Sequence, residues 1–140
     1  GLVEEGAARI AIHARSPERA RSLAARFDAG PRIEVLEDLG RESRERYDLV
    51  VNATPLGLHA DDPLPFDFER GPRVAAALDL VYAPGETAWV HEARRRGIAA
   101  ADGRGMLLAQ GAAAFERWWR RPAPIEAMRR ALEEPVRATR

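Results

Sequence analysis

Short apolar runs and amphipathic segments take turns along the whole chain. Arg9 to Ala14, "RIAIHA", alternates in period two and is rich in isoleucine, which predicts a strand. "RSPERARSLAARF" follows as a helix. Ser16 is its N-cap, Pro17 its first position and Glu18 lies in its first turn, while Ala20, Leu23, Ala24 and Phe27 form an apolar face. "RIEVL" is a second strand and Leu49 to Ala53 a third, a continuous apolar run of the kind buried on both faces. Between them "EDLGRESRERYD" reads as a helical turn or two. Residues 55 to 73 have no period and form a loop. Val74 to Tyr82 is a fourth strand. "APGET" is a turn in which Glu86 or Thr87 caps the helix "AWVHEARRRG", closed by Gly97. "IAAADG" is a fifth strand, "GMLLAQGAAAFERWW" a long amphipathic helix and "IEAMRRAL" a short last one, with "RRPAP" between them. Leu2 to Ala8 is short and helix-compatible, with Gly6 as its stop. Strands alternating with helices predict an α/β fold with a parallel sheet.

Composition narrows the function classes. The 140 residues carry 22 basic and 22 acidic side chains, a balance that argues against a general nucleic-acid or membrane binder. Cysteine is absent, so there is no disulfide framework and no thiolate zinc site. No apolar run is long enough to span a bilayer. His13, His59 and His91 lack metal-ligand spacing, and Asp61-Asp62 reads as a solvated pair. Trp89, Trp118 and Trp119 fall in helices and are assigned to a core or an interdomain face.

Ligands of parallel α/β sheets sit beyond the carboxyl ends of the strands. Four such ends carry chemistry. Arg15 stands where an arginine can pair with the 2′-phosphate of NADP, with the Ser16 hydroxyl and Arg19 beside it; on the residues alone, a solvated arginine next to a helix cap is the simpler reading. At "VNATPLGL", Asn52 shapes a turn and Thr54-Pro55 sets an extended exit, which suits a plain turn and a ribose or nicotinamide contact equally. Tyr82 follows "LDLV" and puts a hydroxyl at a rim, and Asp79 reads as a structural acceptor. Gly103 permits close backbone approach, Met106 offers a soft surface to a flat ring, and Gln110 lies one turn further on the same helical face.

In this order, "IHARSPERA", "DLVVNATPLGL", "LDLVYAPGETAWVHEARRRG" and "DGRGMLLAQGAAAFERWW" resemble the C-terminal half of the shikimate dehydrogenase family over nearly the whole chain. The resemblance implies a Rossmann-like domain and reversible NADP-dependent reduction of 3-dehydroshikimate to shikimate, a step of aromatic amino-acid biosynthesis. It implies cofactor contacts from Arg15, Ser16 and Arg19 at the 2′-phosphate, and from Asn52, Ala53, Thr54, Val81, Gly103 and Met106 at the nicotinamide side. Tyr82 and Gln110 would meet shikimate. Ala14 departs from the family's usual asparagine, which weakens the NADP preference, and Arg104-Gly105 replace more apolar residues.

The resemblance also implies parts that this sequence does not contain: a Gly-rich loop, the first strand of the nucleotide fold, and a substrate domain carrying a catalytic Lys and Asp. No catalytic residue is therefore assigned here, and the chain is expected to be inactive and aggregation-prone alone. Residues 1–121 are assigned to a partial NADP-binding domain, and 122–140 to a C-terminal helix and tail packing toward the substrate domain. Cytoplasmic location and a homodimer accompany this expectation. The alternatives are a quinate/shikimate dehydrogenase with altered cofactor choice, or a non-catalytic nucleotide-binding module.

Overall fold

The structure, a computed structural model, describes residues 2–27, 32–41, 44–83 and 85–133. They form two compact units, residues 1–45 with 69–72, and residues 46–68 with 73–140.

The first unit holds β1 (Ile10–His13), α1 (Pro17–Ala24) and β2 (Ile33–Leu36). The two strands pair in parallel, Ile10 opposite Ile33 and His13 opposite Leu36. The cap of α1 is the one expected: Ser16 is extended, and its hydroxyl accepts from the Arg19 amide. Of the predicted apolar face only Ala20 is buried, and Leu23 and Phe27 stay about half exposed. The helix ends at Ala24, before Phe27, and a two-stranded sheet offers it little surface to cover. Leu2 to Ala7 makes turns rather than a helix, closed by the Gly6 and Ala7 amides on the Val3 and Leu2 carbonyls. The helical turn expected from Glu37 onward is also not formed in its described part. There the Asp38 carboxylate accepts from the Gly40 amide instead, and residues 42–43 lie outside the described residues.

The second unit holds β3 (Arg46–Asn52), β4 (Arg73–Asp79), α2 (Ala88–Arg95), β5 (Ala99–Ala101), α3 (Arg104–Trp119) and α4 (Ile125–Glu133). Its sheet is parallel in the order β3-β4-β5, with Asn52 opposite Asp79 and Leu78 opposite Ala101. β3 starts three residues earlier than the apolar run suggests. It is also not buried on both faces. As an edge of this sheet it leaves Leu49 41% exposed. β4 stops at Asp79 rather than Tyr82, because the Asp79 carboxylate takes the Val81 amide and turns the chain out of the sheet.

The core forms where α2 covers β4 and β5. Trp89, Val90 and Ala93 are buried, one helical face of a segment whose cap is Thr87 and whose stop is Gly97 at φ +76°. The aperiodic loop closes the far side of this core. Phe68 stacks on Trp89 at 5.3 Å, Phe66 packs edge-on against Phe68, and the Trp89 indole N–H donates to the Phe66 carbonyl. Trp118 and Trp119, assigned to a core or an interdomain face, are 76% and 64% exposed near the end of α3 and so lie outside this core, with Arg121 over the Trp119 ring. Among the described residues no helix is long and apolar enough to cross a membrane.

Candidate functional site

The carboxyl ends of β3 and β4 open into a cavity of about 370 Å³. Ala53, Thr54, Pro55 and Leu58 wall it from the β3 side, and Leu80, Val81 and Tyr82 from the β4 side. The lining is mostly apolar, with Thr54 and the half-exposed Tyr82 as its polar side chains. That composition suits a flat, weakly polar ring held by a few directed groups.

Hydrogen bonds behind the cavity set its shape. The Asn52 side chain, 3% exposed, accepts from both the amide and the hydroxyl of Thr54 (3.0 and 2.7 Å) and donates to the Leu56 carbonyl (2.9 Å). The Thr54 hydroxyl in turn accepts from the Leu56 amide. Asn52 therefore stands behind the cavity and not in it, and the Thr54 hydroxyl is partly spent on the turn. The hydrogen bonds show an over-determined turn, and that turn forms one wall of the cavity.

Across the cavity, Val81 is held at both backbone groups. Its N–H donates to Asp79 (3.0 Å) and its carbonyl accepts from the Gly103 N–H (3.1 Å). Gly103 is buried against Leu80, and a Cβ there would come within 2.4 Å of the Leu80 carbonyl oxygen. This glycine has a reason internal to the fold, the close approach of the β5–α3 turn to the β4 exit. One residue earlier, Asp102 accepts from the Arg104 amide and pairs with the Arg104 guanidinium at 2.8 Å, so the arginine that departs from the family pattern serves to fix the start of α3. That hydrogen bond raises the Arg104 guanidinium above its ordinary value.

Met106 and Gln110 lie one turn apart on α3, both exposed, in the same unit as this cavity but not in its lining. In the first unit Arg15 and Arg19 are exposed and, among the described residues, form no ion pair. Between them Ser16 caps α1, and Glu18 in the same turn takes the Ser16 hydroxyl at 3.4 Å. At the end of β1 the ring of His13 faces the Leu36 carbonyl, so Nδ1 carries the proton. Among the described residues there is no cluster of three metal-ligating side chains.

One lining residue has no mark in the sequence. Leu58 lines the cavity as an ordinary apolar residue of the loop, beside Leu80 of the strand end "LDLV". Asp62, read as solvated, instead accepts from the Gly57 and His59 amides (2.9 and 3.0 Å) and closes the loop that carries Leu58. An aspartate three residues after a histidine in a Gly/Pro-rich loop was the available signal for this cap. Donation by the His59 and then the Gly57 amide holds the Asp62 carboxyl below its ordinary range. Because the folded value is the lower one, the loop gains from the carboxylate above the unfolded value and loses that gain as pH falls through the folded value. We expect the Gly57 and His59 amide resonances to titrate together in acid, and Asp62→Asn to abolish that step.

A family model described as the shikimate 5′-dehydrogenase C-terminal domain matches residues 103–133. A shikimate dehydrogenase (NADP(+)) of Nitrobacter winogradskyi is 42% identical over 134 residues, 95% of this chain and 48% of that protein. The Rubrobacter xylanophilus protein of the same name is 44% identical, over 94% of this chain and 47% of its own length. The solved shikimate dehydrogenase of Aquifex aeolicus superposes with a TM-score of 0.76 at 28% identity, covering 95% of this chain and 47% of that one. The enzyme of Thermus thermophilus, solved with NADP(H) and shikimate, gives 0.73 at 34% identity, over 94% of this chain and 47% of its own. The chain thus spans about half the length of the relatives it matches. In sequence and in fold the chain matches the C-terminal half of shikimate dehydrogenases.

Proposed function

We propose that this chain is the NADP-binding half of a shikimate dehydrogenase, whose whole protein reversibly reduces 3-dehydroshikimate to shikimate in aromatic amino-acid biosynthesis. The observation that carries the reading is the apolar cavity at the carboxyl ends of β3 and β4, walled by the "NATP" turn and by Leu80 to Tyr82, in a chain more than 40% identical to NADP-dependent relatives. Each unit, taken by itself, holds residues that suit one part of the cofactor. In the first unit, Arg15 and Arg19 offer guanidinium donors to a 2′-phosphate, with the Ser16 hydroxyl between them and the amino end of α1 adding its dipole. In the second unit, Ala53, Thr54 and Val81 line the place for the nicotinamide, Asn52 holds one wall, the Gly103 amide holds the Val81 carbonyl of the other, and Met106, exposed on α3 outside the lining, is assigned to the ring. NADP, when bound, supplies the hydride carrier.

Tyr82 and Gln110 are assigned to shikimate, a polyhydroxylated carboxylate that asks for such neutral donors and acceptors. No proton transfer is assigned to this chain, and none of its 22 basic residues is a lysine. In this reading the Lys and Asp that serve the C3 oxygen belong to a substrate domain. Residues 122–140 pack toward that domain, with α4 presenting Met128, Ala131 and Leu132 along an apolar groove against α3; residues 134–140 lie outside the described residues.

The cofactor assignment has a direct test. Arg15→Ala in the complete protein removes a charge-assisted phosphate contact worth about 1.5–3 kcal/mol. We expect KM for NADP+ to rise about tenfold to a hundredfold with KM for NAD+ unchanged. An unchanged KM for NADP+ places the phosphate elsewhere.

A further inference from the structure

Three buried polar side chains stand behind the cavity and touch none of its space. Asp79 is 0% exposed, and Asn52 and Thr87 are each 3% exposed. One Asp79 oxygen accepts from Asn52 Nδ2 (2.8 Å) and from the Val81 amide (3.0 Å). The other accepts from the Thr87 hydroxyl (2.8 Å). Thr87 is also the N-cap of α2, taking the Val90 amide at 3.3 Å. A continuous path therefore runs from the first turn of α2, through Asp79, to both walls: through Val81 on one side, and through Asn52 to Thr54 and Leu56 on the other.

A turn could be closed more cheaply. Asn52 alone already satisfies Thr54 and Leu56, and Thr87 alone already caps its helix. What the shared carboxylate adds is registration, fixing the two walls and the helix start to one point inside the core.

We propose that Asp79 and Thr87 are positioning residues of the cofactor cavity, which set the separation of the Thr54 and Val81 walls from the first turn of α2. The inference rests on the reading of this cavity as the nicotinamide site. Hydride transfer requires close approach of the reacting atoms, and a shift of about 1 Å costs on the order of a hundredfold in rate. Cofactor affinity, by contrast, draws heavily on the phosphate contacts proposed for Arg15 and Arg19. Loosened walls thus lower kcat and leave KM for NADP+ nearly untouched.

Thr87→Val keeps the shape of the side chain and removes both hydrogen bonds, and Thr87→Ser keeps both. Arg95→Gly, on the exposed face of α2 where Arg95 pairs with Glu92, serves as a control for loss of helix stability away from the cavity. In the complete protein, oxidation of shikimate by NADP+ is measured for all four forms, together with amide hydrogen exchange. We expect kcat to fall about tenfold or more in Thr87→Val with KM for NADP+ within about twofold, Thr87→Ser to match the wild type, and Arg95→Gly to keep its kcat. Exchange at Thr54, Leu56 and Val81 should quicken in Thr87→Val only. Unchanged exchange at these amides, or a Thr87→Val enzyme no slower than Arg95→Gly, overturns the inference and leaves the functional reading standing. A wild-type protein that fails to oxidise shikimate overturns that reading, and this inference with it.

Discussion

Asp79→Ala is expected to cost the second unit about 2–6 kcal/mol of stability. The substitution removes the acceptor for three donors at once, in a place with no exposure to water. Asn52 Nδ2 keeps the Leu56 carbonyl, but the Val81 amide and the Thr87 hydroxyl proton are left buried without an acceptor. Each such orphan costs roughly 1–3 kcal/mol, which is the origin of the estimate. For a unit of this size the loss corresponds to a fall in Tm of more than about 10 °C. Asp79→Asn is expected to behave differently. Its carbonyl oxygen still serves Asn52 and Val81, and its amide donates to the Thr87 oxygen once that hydroxyl rotates, so the loss shrinks to about 1 kcal/mol. Thermal and denaturant unfolding of the two variants separates the effects, and an Asp79→Ala protein as stable as Asp79→Asn would mean that the network does not hold the strand ends.

The second large effect is steric. Gly103 has an ordinary helical φ of −69°, so alanine meets no backbone strain there. What it meets is the Leu80 carbonyl, with the oxygen 2.4 Å and the carbon 2.9 Å from the new methyl. Both are backbone atoms at the cavity wall and neither can swing aside. The start of α3 must move away from β4, which stretches the Gly103 to Val81 hydrogen bond of 3.1 Å. Overpacking together with the weakened bond comes to about 2–4 kcal/mol. Gly105→Ala is the matched control, two residues on in the same helix with no atom within 4 Å of its added methyl. It should be neutral or stabilising by up to about 1 kcal/mol, from helix propensity alone. Equal Tm values for the two variants would contradict the packing described here.

These two residues also mark the limit of what the sequence discloses. Gly103 is legible as a close approach, but not the object approached, since Leu80 lies 23 residues away and only the register of β4 with β5 brings it near. Asp79 reads as an acceptor, and Asn52 and Thr87 read as a turn residue and a cap, each from local rules. That one carboxylate joins all three depends on the parallel pairing of Asn52 with Asp79, which no local rule contains. Elements with local signals came through well: the Ser16–Pro17 start of α1, the Thr87 cap and Gly97 stop of α2, and strands at "IAIH" and "LVV". The failures are of burial. Phe27 and Leu23 are apolar at helical spacing, yet the spacing says only which residues share a face, not whether anything covers it. Leu49 shows the same limit in a strand, where an apolar run is compatible with an edge as well as with a sheet centre.

The central claim concerns which reaction the cavity serves. Its most direct test is the initial rate of NADPH formation when the complete protein is given shikimate with NADP+, and again with NAD+. The account expects shikimate-dependent reduction of NADP+ at a clearly higher kcat/KM than of NAD+. Absence of shikimate-dependent NADPH formation by a folded complete protein would contradict it.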